Sequence, residues 1–329
     1  MRISAPMIVR NEAATIEAAL RSLRPHVDEI VIVDTGSTDG TQAIIECVAH
    51  AEGCPIHLHH EPWRADFGWH RNHVQSLVTG DWIFYIDGDE YVDGGGETIR
   101  PAIERAEKRG DVNAVASLIL SVGDNGGREE HNLIRIYKPD EVSWKYPVHN
   151  QMVGLKPTVE FCDVVIRTSY VGRMEQKMAR SVPMLEKLHA ENTLDPHAAM
   201  FLAKTYAAAG QAEKTVPWAR HVVEVAGDSK PHAMAWVWLA MGLSKLGKFE
   251  EADHILDEGL RRHPGMADLH LARVRCQMAL WLRASNDPGH YAFASQESLR
   301  LIAPESVDEL FSALSVFGLN RAPAGVDSA

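Results

Sequence analysis

Trp82-Ile-Phe-Tyr-Ile-Asp-Gly-Asp-Glu90 is the stretch that decides the fold. Its first five residues, Trp82 to Ile86, are apolar and β-prone. A strand buried on both faces reads this way, whereas a half-exposed strand alternates with polar residues. The run stops at Asp87, Gly88, Asp89 and Glu90, which sets carboxylates at the carboxyl end of a central strand. In open α/β sheets that edge faces the ligand crevice. Gly88 leaves the backbone room to approach a ligand. Closely spaced carboxylates repel one another, and a hard divalent cation such as Mg²⁺ or Mn²⁺ relieves the repulsion. Taken alone, Asp-Gly-Asp reads as an acidic turn after a buried strand; its surroundings change that reading.

Upstream, Ile3 to Val9 reads as a first strand, followed by Arg10-Asn-Glu12 and an amphipathic helix with Ile16, Ala19, Leu20 and Leu23 on one face. Asn11 is placed to cap that helix. Glu29 to Val33 is a second strand running into a dense turn cluster, Asp34-Thr-Gly-Ser-Thr-Asp-Gly-Thr41. A helix over 41–51, a short strand over 56–60 and a helix over 67–78 carrying Arg71 and Asn72 follow. This β-α-β-α-β-α-β order predicts a parallel, doubly wound sheet with right-handed crossovers. No G-x-G-x-x-G follows the first strand and there is no P-loop, which argues against dinucleotide and Walker-type sites. Four polar clusters therefore fall at strand ends of one sheet: Arg10-Asn-Glu12, Asp34 to Asp39, Arg71-Asn72 and Asp87 to Glu90. Asp34 or Asp39 suits a ribose hydroxyl or a pyrimidine N–H, Arg71 suits a diphosphate, and Asp89 suits a metal bridging that diphosphate. Each also has a plain structural reading, as a loop, a helix cap or a surface charge.

Downstream, a helix is expected over 98–109, a strand over 114–122, a mobile glycine-rich loop over 123–130, a strand over 132–137 and a last strand over 163–169. From Arg173 the pattern turns helical. Trp236, Leu239, Ala240, Leu243, Gly247, Ala252, Leu256, Gly259 and Pro264 follow the small/large spacing of a tetratricopeptide repeat, and Ala199, Leu202, Ala203, Tyr206, Gly210 and Ala219 repeat it less perfectly upstream. The chain is thus expected to hold an α/β domain over 1–172 and an all-α domain over 173–329, with repeats at about 196–227 and 233–264 and a capping helix over 268–282. Two repeats are fewer than normally stand alone, so they are expected to pack on the first domain or on each other across a homodimer.

The 329 residues are 45% hydrophobic and 24% charged, as in an ordinary globular protein. A net charge of −12 disfavours a nonspecific nucleic-acid or anionic-membrane binder. Four scattered cysteines form no metal pattern and read as reduced thiols. With no signal pattern and no apolar run of membrane-spanning length, the expected location is cytoplasmic.

Ile8-Val-Arg-Asn-Glu12, Val31 to Thr41, Arg71-Asn72 and Ile86 to Glu90 together resemble the family 2 glycosyltransferases of GT-A fold, in the right order and spacing over roughly residues 2–172. The helical remainder looks like the arm on a bacterial branch of that family, whose members glycosylate peptides, proteins or cell-envelope glycans. The resemblance implies a nucleotide-sugar donor, usually UDP-linked, a divalent cation (Mn²⁺ or Mg²⁺) and inversion at the anomeric carbon. It implies a donor site of Arg10, Asn11, Glu12, Asp34, Gly36, Asp39, Arg71, Asn72, Asp87 and Gly88, a metal on Asp89 and His149, and catalytic roles among Asp87, Asp89, Glu90 and His149. Similar sequences often close the domain with Val-His-Glu; here it reads Val148-His149-Asn150. An amide cannot act as a general base, so the base is sought among Asp124, Glu129, Glu130 and Glu90. The competing expectation is a degenerate transferase fold that serves as a binding scaffold through its repeats.

Overall fold

The structure is a computed structural model and describes residues 1–51, 53–122, 128–169 and 174–283. The chain divides into two compact units, the first Met1–Met184 and the second starting at Leu185.

The first unit is built on an eight-stranded sheet. In chain order its elements are β1 (Ile3–Val9), α1 (Ile16–Leu23), β2 (Glu29–Asp34), α2 (Thr41–Ala49), β3 (Ile56–His60), α3 (Phe67–Gln75), β4 (Trp82–Phe84), β5 (Glu90–Gly94), α4 (Ile99–Arg109), β6 (Val112–Val122), β7 (Arg128–Tyr137) and β10 (Thr158–Ser169). A separate two-stranded ribbon joins β8 (Ser143–Lys145) to β9 (Gln151–Val153). The sheet order is β3-β2-β1-β4-β7-β6-β10-β5. The β3-β2-β1-β4 half is parallel throughout, as the alternating pattern requires. Beyond β4 the sheet is mixed: β7 runs antiparallel to β4 and β6, and β5 antiparallel to β10, while β6 and β10 are parallel.

The apolar runs are continuous because both faces are covered. Ile30 and Ile32 of β2 join Ile16, Leu20 and Leu23 of α1 in one core. Val31 and Val33 point the other way, onto Val74 of α3. β4 divides likewise: Trp82, Phe84 and Ile86 enter the first core, Ile83 and Tyr85 a smaller one with Tyr137. The ladder itself ends at Phe84, two residues earlier than the apolar run suggests. Tyr85 N–H still reaches Arg135 O at 3.0 Å, but its ring is taken up by the charged groups described below.

Three further expectations are corrected. α1 starts at Ile16 with Thr15 preceding it, so Asn11 does not cap it. Asn11 instead adopts φ +57° and bonds the next loop. Glu90 to Gly94, which carries no strand pattern in the sequence, is the edge strand β5. The polar stretch after Gly123 is shorter than expected, because Arg128, Glu129 and Glu130 pair with Val122, Ser121 and Leu120 in the β6–β7 hairpin. Asp124 lies outside the described residues.

α5 (Met174–Glu191) leads out of the sheet. The second unit is made of helix hairpins, α6 (Pro196–Ala208) with α7 (Ala212–Ala226) and α8 (Met234–Lys245) with α9 (Phe249–Arg262), closed by α10 (Ala267–Arg283). Small residues set the helix approach. A Cβ on Gly242 would stand 2.9 Å from Val216 Cγ2, and one on Gly259 would stand 3.2 Å from Trp236 Cβ. Trp236, Leu239, Leu243 and Leu256 form the buried seam, as the tetratricopeptide-like spacing predicts. Among the described residues, no helix is long and apolar enough to cross a membrane.

Candidate active site

β1 and β2 end side by side, with Val9 of β1 paired to Asp34 of β2, and the chain that continues beyond β4 brings Gly88 up against Val9. Asp34 is buried, and its Oδ1 accepts hydrogen bonds from the backbone N–H groups of Gly36 and Ser37 and from Gln42 Nε2, each at 2.9 Å. Burial pushes this carboxyl up, but the bonds from Ser37, Gly36 and Gln42 outweigh it and hold it below the ordinary range. Its second oxygen, Oδ2, is buried and takes no hydrogen bond among the described residues. A buried ionised oxygen left this way is costly, and such an atom is where a ligand donor fits. Gly36 (φ +105°) makes the turn that turns its N–H back to Asp34.

The first two loops are stitched together. Asn11 N–H donates to Ser37 Oγ at 2.9 Å and Asn11 Oδ1 accepts from Thr38 N–H at 2.8 Å. Glu12 N–H donates to Thr41 Oγ1 at 2.8 Å. Asp39 spends both oxygens here, Oδ2 on Ala13 N–H at 3.0 Å and Oδ1 on Thr41 N–H at 3.1 Å. Asn11 and Asp39 thus fix the shape of the cradle around Asp34, and Arg10 stands exposed beside it. Gly88 brings the Asp-Gly-Asp turn against this cradle: a Cβ there would lie 3.2 Å from Glu12 Cγ and 3.3 Å from Val9 Cγ1.

Around Asp87 a circuit of charges closes. Arg71 Nη2 pairs with Asp87 Oδ1 at 2.9 Å, and Asp87 N–H donates to Glu90 Oε2 at 2.9 Å. Glu90 Oε1 meets Arg135 Nη2 at 2.6 Å, with both side chains buried. Tyr85 lies between the two cations, with the guanidinium carbons of Arg71 and Arg135 at 5.0 and 4.6 Å from its ring centre. Trp144 faces Arg71 as well, at 4.8 Å. Partial desolvation raises Asp87, but Arg71 and Arg135 outweigh it and hold its carboxyl below the ordinary range. Glu90 goes the other way: burial, against the pull of Arg135 and with Asp87 and Asp89 close by, pushes it up to about 7. Each oxygen of Glu90 takes one hydrogen bond, Oε2 from Asp87 N–H and Oε1 from Arg135, so Glu90 ties the two together.

The remaining sequence candidates separate. Asn72 makes a two-point bond to the main chain of Trp144, accepting its N–H at 2.8 Å and donating to its carbonyl at 2.9 Å, so its amide is structural. His149 (φ +50°) sits in the segment that follows, and the amide of Asn150 donates to Tyr146 O. Glu129 and Glu130 are exposed on β7, five or six residues from Arg135. At ~3.4 Å per residue that is some ~17 Å or more along the strand. Among the described residues no group of three or more His, Cys, Asp or Glu is arranged to hold a metal. Tyr85, Arg135 and Trp144 were not singled out from the sequence. Arg135 alone carried a signal, as a charge in the apolar strand Ile134-Arg-Ile-Tyr137.

Comparison with known proteins gives this edge a lineage. Residues 4–162 match the family model described as Glycosyl transferase family 2. The lipopolysaccharide core biosynthesis glycosyltransferase LpsC of Rhizobium meliloti is 41% identical over 91 residues. The glycosyltransferase SunS of Bacillus subtilis is 34% identical over 87 residues, and a TPR repeat-containing protein of Synechococcus elongatus is 40% identical over 89. These matches cover 26–28% of this chain and only 20–33% of those relatives' own length. Among solved structures, residues 1–349 of S. aureus TarS in complex with UDP align over 87% of this chain and 92% of that one, at 15% identity and a TM-score of 0.43.

Proposed function

We propose, for a chain whose first unit is a family 2 glycosyltransferase domain, that it transfers a sugar from a nucleotide-sugar donor, UDP-linked, to a protein, peptide or glycan acceptor with inversion at the anomeric carbon. A modified DNA base is the less favoured acceptor. The observation that carries the reading is Asp34. Its Oδ1 is fully used by the protein while its buried Oδ2 is left for a donor group, which a pyrimidine N–H or a ribose hydroxyl supplies.

Asp89 is the residue that would hold a divalent cation, with His149 as a second ligand. The donor set supports the kind of site that Mg²⁺ and Mn²⁺ accept, in which one or two protein ligands are completed by phosphate oxygens and water. Such an ion, when bound, supplies neutralisation of the charge growing on the leaving diphosphate. Asp87, held by Arg71 and by Glu90 through its own backbone, is oriented toward the donor's ribose or sugar. Gly88 lets the turn close on Glu12 without a side chain in the way. The acceptor hydroxyl attacks the anomeric carbon from the face opposite the diphosphate, and its proton passes to a base other than Asn150. The helical unit reads the acceptor in this scheme.

A mass-spectrometric screen of UDP-sugars, with Mn²⁺, with Mg²⁺ and with chelator, tests the reading. It expects metal-dependent hydrolysis of one or a few donors by the wild-type chain and its loss in Asp34→Asn. That substitution keeps the Oδ1 acceptor but turns the Oδ2 position into a donor. No donor bound and none hydrolysed under any condition refutes the enzyme reading in favour of a scaffold.

A further inference from the structure

β7 carries a charge where a strand has no use for one. Ile134-Arg-Ile-Tyr137 is apolar apart from Arg135, and Arg135 is 5% exposed. Across the ladder Val115 of β6 faces Ile136, but the next residue, Ala116, faces Ile134. Arg135 is therefore the extra residue of a β-bulge. A bulge interrupts the ladder and re-aims a side chain, and bulges gather beside active sites. A buried ion pair adds little stability either, because desolvating both charges largely offsets their attraction. Two features that strand stability does not ask for thus meet at one residue.

Both lead to the Asp-Gly-Asp turn. Asp87 to Glu90 is a four-residue turn closed twice: Glu90 N–H donates to Asp87 O at 3.0 Å, and Asp87 N–H donates to Glu90 Oε2 at 2.9 Å. Gly88 and Asp89 are its middle residues, so the direction of Asp89 follows the orientation of the whole turn. Arg135 holds this segment at both ends. Its carbonyl accepts Tyr85 N–H at 3.0 Å, where the chain leaves β4. Its Nη2 pairs with Glu90 Oε1 at 2.6 Å, where the chain enters β5. Between the two, its guanidinium carbon lies 4.6 Å from the Tyr85 ring centre.

We propose that Arg135 is a positioning residue of the donor site: through Glu90 it fixes the turn that presents Asp87 and Asp89 to the nucleotide diphosphate and its cation. The proposal rests on the nucleotide-sugar and divalent-cation readings above. Arg135 itself touches no substrate in this scheme. Outer-shell partners that orient the ligands of a cation are worth about tenfold to a hundredfold in affinity. The plainer role is a clip between β7 and β5, which sets how firmly the unit is folded and not how it takes a cation.

The test is calorimetric titration of the full chain with UDP, once in Mn²⁺ and once in chelator, alongside thermal unfolding. The chains compared are wild type, Arg135→Met, Arg135→Lys and the double variant Arg135→Met with Glu90→Gln. Arg135→Met alone leaves the Glu90 carboxylate buried without its cation and should be the least stable of the four. The double variant removes both charges, and Gln keeps an acceptor for Asp87 N–H, so most of the lost stability should return. Its turn is no longer anchored to β7. Its UDP affinity in Mn²⁺ should fall by about tenfold to a hundredfold, while affinity in chelator stays within about threefold of wild type. Arg135→Lys offers Glu90 one ammonium in place of the guanidinium and should keep part of the Mn²⁺-dependent gain. A stable double variant with wild-type UDP affinity in Mn²⁺ overturns the proposal. So does a parallel loss in Mn²⁺ and in chelator, which is what a clip gives. If the double variant does not fold, Arg135→Lys decides: a reduced Mn²⁺ gain at unchanged chelator affinity supports the proposal, and equal shifts in both, or none, refute it. A wild-type chain that binds no UDP overturns the nucleotide-sugar reading, and one that binds UDP equally with and without Mn²⁺ overturns the cation reading; the proposal falls with either.

Discussion

Replacing Glu90 by Gln should change how stability depends on pH, and the size of the change follows from the geometry. In the folded chain Glu90 titrates at about 7, raised from an ordinary 4.5 by burial and by Asp87 and Asp89. A raised carboxyl binds its proton more tightly when folded. Its contribution to stability is therefore complete below pH 4.5 and is lost as pH rises through about 7. At 1.36 kcal/mol per pKa unit, that loss is about 3 kcal/mol. Gln does not titrate. The Gln variant also leaves Arg135 or the Asp87 N–H without an acceptor, which shifts its stability by an offset that varies little with pH. The informative quantity is the slope of the difference, wild type minus Glu90→Gln, which should fall by about 3 kcal/mol between pH 4.5 and 7.5. Subtraction cancels the other titrating groups. Urea-dependent hydrogen exchange of peptides from β1, β4 and β7, corrected for intrinsic rates and recorded in chelator, reports on the first unit of the full chain. A difference that stays flat across this range refutes the reasoning. It would mean that Arg135 at 2.6 Å outweighs burial and keeps Glu90 ionised throughout.

Other substitutions probe the same frame. Glu29 lies at the opposite end of β2 and accepts from Ser4 Oγ at 2.5 Å, Thr79 N–H at 2.7 Å and Arg2 Nη2 at 3.0 Å. Burial pushes its carboxyl up, but these partners outweigh it and depress it, so its contribution is present above the ordinary carboxylate range and lost as pH falls below it. Glu29→Gln should cost about 1–3 kcal/mol at neutral pH and flatten the acid side of an unfolding profile. Gly88→Ala should leave thermal stability nearly unchanged but weaken UDP binding by titration, because the new methyl stands 3.2 Å from Glu12 Cγ and pushes the turn outward. In the helical unit, Leu256→Ala should cost about 2–5 kcal/mol by denaturant unfolding while sparing donor hydrolysis in the sugar screen. Leu256 is fully buried there, so a cavity must open.

Much of the fold was legible because it rests on local signals. The continuous runs Ile30 to Val33 and Trp82 to Ile86 read as strands covered on both faces, and the small residues of 236–264 as a close helix hairpin, and both pack that way. What was not legible depends on partners far apart in sequence. Nothing in Tyr85 announces that arginines 14 residues before it and 50 after it will close on its ring. Nothing near Glu90 in sequence announces that Arg135, 45 residues on, will pair with it. The two-point bond of the Asn72 amide to a main chain 72 residues away leaves no trace in sequence either. β5 was missed for a different reason. Glu-Tyr-Val-Asp-Gly is short and polar, and only its antiparallel neighbour β10 makes it a strand. The site clusters at strand ends were legible as a group, but which members face a ligand and which hold the cradle together depended on their hydrogen bonds.

The segment from Trp144 to Asn150 is bound to α3 at three places: Asn72 to Trp144, Phe67 to Pro147, and Gly68, where a Cβ would stand 2.5 Å from the Tyr146 carbonyl oxygen. Loops beside active sites are usually where a fold tolerates insertions and acquires new specificities. This one has no such latitude. Lengthening it by a residue would shift Tyr146, Pro147 or Trp144 out of register with a helix that cannot follow. Engineering of this sheet edge should therefore keep the length of 144–150 unchanged.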